Sequence, residues 1–263
     1  MTTVEPNQFL AALSAAAHAR RPLVLATIVA TEGSVPRHIG TKMIVYPDAT
    51  IIGTVGGGKV EACVRDDALA TLADGSPQLR RYTLHNPKRG DPGICGGIMT
   101  VYLEPYMPSP TIFVIGCGHI GKAVVDLAHW LGYYTVAVDD RADLLTEDAL
   151  PNADVRFVGS VSEAVQEHPI TADTSVVVVT RSHELDAQIV PTLVATQARY
   201  IGVMGSTRRW TSTRALLVQA GLPDGALDAI HVPIGIEIGA ETVEEIAVSI
   251  MSDIIKSASA STR

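Results

Sequence analysis

Four short segments place reactive side chains beside glycine, and each combination suggests a chemistry. The first is Gly116-Cys117-Gly118-His119-Ile120-Gly121, which follows the apolar run Thr111-Ile112-Phe113-Val114-Ile115. Glycines so spaced after a strand permit a tight turn, let a pyrophosphate reach backbone N–H groups and bring the next helix close. Gly116, Gly118, His119 and Gly121 are therefore candidate cofactor contacts. Asp139 ends the next strand-like run, 18 positions beyond Gly121, where it would accept a ribose hydroxyl. Arg141 beside it would suit a 2′-phosphate, so the choice between NAD and NADP stays open, as does a Rossmann turn kept for packing alone.

The second segment is Gly202-Val203-Met204-Gly205-Ser206-Thr207-Arg208-Arg209, at a strand end and helix start. Free N–H groups, hydroxyls and guanidiniums make Gly205, Ser206 and Arg208, with Arg209, a candidate anion pocket. A plain helix cap with solvated arginines fits equally. The third is Gly93-Ile94-Cys95-Gly96-Gly97. Its glycines can expose the sulfur, and the N–H groups of Gly96 and Gly97 can stabilise a thiolate, unless Cys95 is merely a small residue at a bulge. Cys63 and Cys117 read as packing residues. The fourth is Gly56-Gly57-Gly58-Lys59-Val60-Glu61, a glycine nest opening a helix. Here Glu61 would orient a ligand above the glycines and Lys59 would meet its phosphate, with Glu32, Arg37 and His38 closing the pocket. Glu61 as an ordinary helix-start charge is the alternative.

The elements that must carry these segments fall into two groups. Residues 7–19 suggest an amphipathic helix ended by Pro22, and 23–30 a buried strand. Strands at 42–46 and 51–55, a helix over 60–72 and strands at 80–84 and 98–103 follow, the last two separated by the turn-rich stretch 85–97. Pro108 and Pro110 stiffen a linker. Beyond it, strand-like runs at 111–115, 134–138, 155–158, 175–179 and 199–203 alternate with helical patterns near 119–131, 161–167, 183–195, 207–220 and 241–256. Such alternation predicts a doubly wound parallel sheet. The fold class is thus α/β, an N-terminal α+β domain over 1–107 followed by a Rossmann-like domain over 111–263. The polar tail 257–263 reads as disordered.

Composition narrows the functions. With 20 Lys and Arg against 28 Asp and Glu, the 263-residue chain carries a formal charge of −8, which argues against nucleic acid as a partner. Three cysteines without a CxxC pair exclude a disulfide scaffold and a four-cysteine zinc site. No apolar run reaches the roughly 18 residues of a membrane span, and 7–19 lacks the basic flank of a signal peptide, so the protein reads as cytoplasmic. Six of the 22 glycines lie at 33–58, four at 90–97 and three at 116–121, a crowding that suggests one ligand approached by several loops.

Taken in order, these segments resemble the XdhC/CoxI family, accessory proteins of xanthine dehydrogenase and related molybdenum hydroxylases. The likeness rests on Thr31-Glu32-Gly33-Ser34-Val35-Pro36-Arg37 with Gly40, on Gly56-Gly57-Gly58 with Glu61, and on Cys95-Gly96-Gly97 with Glu104-Pro105. It continues through Gly116 to Gly121 with Asp139-Asp140-Arg141, the segment 202–208, and Pro233-Ile234-Gly235-Ile236-Glu237-Ile238-Gly239-Ala240-Glu241. Lys59 and Glu237 depart from the pattern. The resemblance implies a factor that binds the molybdenum cofactor, as molybdopterin or its dinucleotide, supports its sulfuration with a cysteine desulfurase and delivers it to the apo-hydroxylase. It implies that Cys95 relays sulfur or ligates the metal, with Glu61 beside it, and that the protein is a chaperone rather than an enzyme. A homodimer is a reasonable expectation. Two other readings use the second domain alone: an NAD(P)-dependent oxidoreductase, or a nucleotide-sensing regulator without chemistry.

Overall fold

The computed structural model describes residues 6–85, 92 and 95–260. The chain divides into two compact units, Met1–Pro108 and Ser109–Arg263.

In the N-terminal unit, α1 (Pro6–His18) leads into the central strand β1 (Leu23–Glu32), followed by β2 (Lys42–Val45), β3 (Ile51–Gly53), α2 (Gly58–Asp74), β4 (Gln78–Thr83) and β5 (Ile98–Tyr106). The five strands pair antiparallel in the order β3-β2-β1-β5-β4. Alternation along β1 sorts its side chains onto two faces. Val24, Ala26 and Ile28 point to the core shared with Val60, Val64 and Ala68 of α2, whereas Leu23 and Leu25 join Ala16 of α1. Each such buried aliphatic side chain contributes about 1.5–3 kcal/mol. Gly75 ends α2 in the left-handed conformation, φ 71°, its N–H bonded to the Thr71 carbonyl. β1 outlasts its pairing with β2, which stops at Thr27–Lys42, and continues on β5 alone to Glu32–Ile98 after a bulge between Ile28 and Ala30. The loop 33–41 therefore springs from a strand held on one side only.

The C-terminal unit contains β6 (Thr111–Ile115), α3 (His119–Trp130), β7 (Tyr134–Asp139), β8 (Val155–Val158), α4 (Val161–Glu167), β9 (Thr174–Val178), α5 (His183–Val194), β10 (Tyr200–Val203), α6 (Thr207–Gln219), β11 (Ile230–His231) and α7 (Val243–Ala260). All six strands run parallel in the order β11-β10-β9-β6-β7-β8. Both sheet faces are covered. Ile112, Val114 and Ala137 pack with Val124, Val125 and Ala128 of α3 and Ile250 and Met251 of α7; Phe113, Ile115, Val136 and Val138 pack with α4, α5 and α6. The chain moves outward from β6 to β8 and then returns to β9, so β6 and β9 flank the switch point where such sheets open a crevice.

Two expectations need correction. A sixth strand, β11, joins the sheet; its two residues are too few to show a pattern in sequence. The first residues of the expected disordered tail, 257–260, continue α7, because Met251 and Ile254 are buried and Arg199 Nη2 donates to the Ala258 carbonyl at 3.1 Å. Residues 261–263 lie outside the described residues, as does most of the stretch 85–97.

Candidate functional site

The N-terminal unit assembles its three glycine segments by backbone contact. A Cβ on Gly97 would lie 2.2 Å from the Ser34 carbonyl oxygen and 2.6 Å from that of Glu32; one on Gly33 would meet the Gly96 oxygen at 3.2 Å. Only glycine lets the loop after β1 cross the entry of β5 this closely. The crossing is stitched to the end of β4, Gly96 N–H donating to the Leu84 carbonyl and Leu84 N–H to that of Gly97. Further along the loop, Pro36 lies over the nest, where a Cβ on Gly56 would come within 2.6 Å of Pro36 Cγ. The glycines of the nest have φ of 147°, 73° and 61°. Gly57 begins α2 with no side-chain cap, and Glu61 sits in its first turn. Thr54 Oγ1 donates a short hydrogen bond to Glu61 Oε2 and accepts one from Gly56 N–H at 3.2 Å. Glu61 thus braces the nest from below.

Other glycines of this bracket face open space. Among the described residues nothing lies within 4 Å of a Cβ built on Gly58 or Gly96. Arg37, in the crossing loop, is half-buried, and its Nε is buried without a hydrogen-bond partner. Cys95 beside Gly96 is an exposed free thiol. Gly93 and Ile94 of that segment lie outside the described residues. The unit therefore offers a half-buried guanidinium whose Nε has no hydrogen-bond partner among the described residues, a glycine nest at a helix start and an accessible sulfur on segments that touch one another. Such a set suits an anion with a sulfur-reactive group.

The C-terminal unit uses its glycines differently. A Cβ on Gly121 would fall 1.9 Å from the Gly116 carbonyl oxygen, and one on Gly116 2.6 Å from that of Val179, so both are packing glycines; Gly118, the uncapped start of α3, has open space before it. His119 is exposed. Cys117 is buried, and burial, with Asp139 nearby, pushes its thiol up to about 12, so it is inert near neutrality. Asp139 is buried and accepts from four N–H groups: Cys117 N at 2.7 Å, Arg141 N at 3.0 Å, and Arg141 Nε and Nη2 at 2.9 Å each. Burial alone would raise its pKa, but the bonds from Arg141 and the turn outweigh that and hold it below the ordinary value. The carboxylate expected to meet a ribose hydroxyl has every lone pair engaged by its own chain. Asp140 pairs bidentately with Arg181 at 2.7 and 2.8 Å, which also lowers its pKa.

A cavity of about 500 Å³ opens beside this network at the carboxyl ends of β6, β7, β8 and β9. Gly116 and Asp139 line it, but Gly118, His119, Gly121, Gly205, Ser206 and Arg208 do not. Sequence reasoning missed Ser160, Ser162, Arg181, Gln188 and Thr192 on its walls. A signal was present, since Ser160-Val161-Ser162-Glu163 is a capping box that starts a helix just after a strand. The anion pocket expected at 205–209 divides. Ser206 caps α6 through Arg209 N–H, and the Arg209 guanidinium bonds at 2.9 Å to Asp186, which is 4% exposed and also accepts from Thr180 Oγ1 at 2.6 Å. Arg209 is therefore a brace between α6 and α5, and Arg208 is left exposed. Among the described residues no group of three or more His, Cys, Asp or Glu could hold a metal ion. No described helix is long and apolar enough to cross a membrane.

Comparison with known proteins places these features in context. The family described as the XdhC Rossmann domain matches residues 112–254, and the XdhC and CoxI family matches residues 16–83. The uncharacterized protein YqeB of Escherichia coli K12 is 31% identical over 238 residues, 89% of this chain and 43% of its own. A probable xanthine dehydrogenase subunit of Bacillus subtilis is 28% identical over 156 residues, 59% of this chain and 45% of its own. The chain thus spans less than half the length of these two relatives. The molybdenum cofactor insertion chaperone PaoD of E. coli is 23% identical over 260 residues, covering 88% of this chain and 82% of PaoD. A crystal structure described as a xanthine dehydrogenase from Bacillus halodurans shares the fold, with a TM-score of 0.53, 23% identity and coverage of 95% and 96% of the two chains.

Proposed function

The chain belongs to the XdhC and CoxI family, and from that premise we propose that it is a maturation factor which holds the molybdenum cofactor for a hydroxylase of the xanthine dehydrogenase type. The names of the relatives, a molybdenum cofactor insertion chaperone and a xanthine dehydrogenase subunit, support the direction. The observation that carries the reading is Arg37, a guanidinium whose Nε is buried without a partner, on a loop that touches both the glycine nest and the Cys95 segment. A buried nitrogen of a cationic side chain left without an acceptor is costly, and a bound anion would supply one. The pterin phosphate, in mononucleotide or dinucleotide form, is such an anion, and the open faces of Gly58 and Gly96 let its oxygens reach backbone N–H groups.

When bound, the cofactor supplies the molybdenum centre whose terminal sulfido ligand the hydroxylase needs. The residues of this chain do the rest. Arg37 and the N–H groups of Gly57 and Gly58 hold the phosphate, while the Gly56 N–H is engaged by Thr54, and Glu61, through Thr54, keeps the nest in shape. Cys95 receives sulfur: its thiolate attacks the outer sulfur of a persulfide on a cysteine desulfurase, a disulfide-like S–S bond forms on Cys95, and the donor cysteine leaves as thiolate.

The test is metal and mass analysis of protein purified anaerobically from a molybdenum-replete host, beside activation of a co-expressed hydroxylase. Wild type is expected to carry molybdenum and pterin. Arg37→Ala is expected to retain at least about tenfold less, and Cys95→Ala to keep its fold and its cofactor while activation is lost. Wild-type protein free of molybdenum, or normal activation by Cys95→Ala, overturns the corresponding part.

A further inference from the structure

We propose that the free edge of β4 is a docking site for an extended acidic segment of another protein, which adds to the antiparallel sheet as a further strand beside β4. The edge is formed by Leu79, Arg80, Arg81 and Thr83, none of them assigned to the cofactor, so the site stands or falls separately from the molybdenum reading.

Main-chain direction comes first. Leu84 turns both its N–H and its carbonyl toward Gly97 and Gly96, at the entry of β5. Main-chain groups alternate sides along a strand, so Tyr82, Arg80 and Gln78 also face β5, while Thr83, Arg81 and Leu79 face away from it. β4 ends the sheet order, and the main chain of these last three residues makes no hydrogen bond to any described residue. Each offers a donor and an acceptor in extended geometry, which is what strand addition requires.

Side chains define the occupant. Tyr82 and Leu84 are buried in the core shared with α2, so Arg80 lies on that face of the sheet, whereas Leu79, 64% exposed, shares the opposite face with Arg81. Two adjacent cations thus flank the edge, one on each face, and among the described residues neither has an acceptor within the ordinary range of about 2.7–3.2 Å. Arg80 Nε is buried without a hydrogen-bond partner; the nearby Asp67 stands 3.9 Å from it and accepts from Tyr82 Oη at 2.6 Å. Arg81 reaches Glu32 only at 3.5 Å, with both side chains more than half exposed. By contrast, Arg141, Arg181 and Arg209 close on their carboxylates at 2.7 to 2.9 Å. Charge complementarity therefore asks for two adjacent acids on the incoming strand, with an apolar residue beside Leu79. A second copy of this chain fits badly. In antiparallel edge-to-edge pairing, the two registers of greatest overlap set Arg81 or Arg80 directly against its own copy. The like charges that keep copies apart are the ones that select an acidic strand.

The experiment is NMR titration of the nitrogen-15-labelled full chain with the capped synthetic peptide Thr-Val-Glu-Glu-Val-Thr. Expected are saturable amide shifts at Leu79, Arg81 and Thr83, a Kd below about 1 mM, and binding of Thr-Val-Lys-Lys-Val-Thr weaker by at least about fivefold. A version of the acidic peptide methylated on its amide nitrogens should not bind, because it cannot donate to the edge. Arg81→Glu, at unchanged melting temperature, should weaken the acidic peptide by at least about fivefold and favour the basic one. The proposal is overturned if the acidic peptide fails to bind below about 1 mM or shifts only amides outside β4 and β5. It is equally overturned if the basic or the N-methylated peptide binds as tightly, or if the β4 amides shift on dilution of the free chain, which marks a second copy on this edge.

Discussion

Both units bring their loops together on glycine, yet they leave different charge states behind. In the N-terminal unit the acid, Glu61, is turned inward to Thr54, and Arg37 Nε is buried without a partner among the described residues. In the C-terminal unit Arg141, Arg181 and Arg209 all close on carboxylates, and neutral side chains remain to face the cavity. Glycine content therefore marks where something approaches the backbone, and pairing of the arginines decides what kind of thing it is.

The sharpest way to break this comparison is to separate packing glycines from open ones. Gly121→Ala drives a Cβ to 1.9 Å from the Gly116 oxygen and should cost the C-terminal unit at least about 3 kcal/mol. Gly97→Ala should do the same to the N-terminal unit, against two carbonyl oxygens. Gly118→Ala meets nothing within 4 Å and should cost under about 1 kcal/mol, measured by urea denaturation. Equal losses at Gly118 and Gly121 would show that the open face is not open.

A smaller effect tests the arginines. Asp139→Asn leaves Arg141 facing an amide and should lose about 2 kcal/mol at neutral pH. The native carboxyl has a lowered pKa, so its contribution is present above the unfolded pKa and vanishes as pH falls through the folded one. Wild type and variant should accordingly converge as the pH falls below the ordinary carboxylate range. Arg37→Leu, which breaks no pair and removes a buried nitrogen without an acceptor, should be as stable as wild type or more stable by up to about 1 kcal/mol. The smallest perturbation is alkylation with iodoacetamide at about pH 8, read by mass spectrometry. Cys95 should be labelled and Cys117 spared, because the latter is buried and its thiol titrates only near 12.

Much of this was legible in the sequence, for reasons that are local. Strands β6, β7, β9 and β10 are largely apolar runs, and Val60, Val64 and Ala68 repeat at helical spacing, so element type follows from neighbours in the chain. The glycine turn after β6 was visible for the same reason. What stayed hidden depends on partners far along the chain. Asp140 meets Arg181 across 41 positions and Asp186 meets Arg209 across 23, and nothing in either segment announces the other. The cavity walls likewise come from loops after four different strands. Asp139 could be placed at its strand end from the sequence, but only the fold shows that the turn and Arg141 already occupy it.

The last rung between β1 and β5, Glu32 with Ile98, joins positions 66 apart, and the contact of Gly33 with Gly96 lies just beyond it. Pairing across so long a loop needs the intervening chain to be made and largely ordered first. During synthesis the segment with Arg37 emerges early, followed by the nest, and both wait for β5. A ribosome-bound chain still short of Ile98 carries the arginine, the nest and its Glu61 brace but lacks the entry of β5 that the loop crosses, so the cradle is complete only with a finished N-terminal unit.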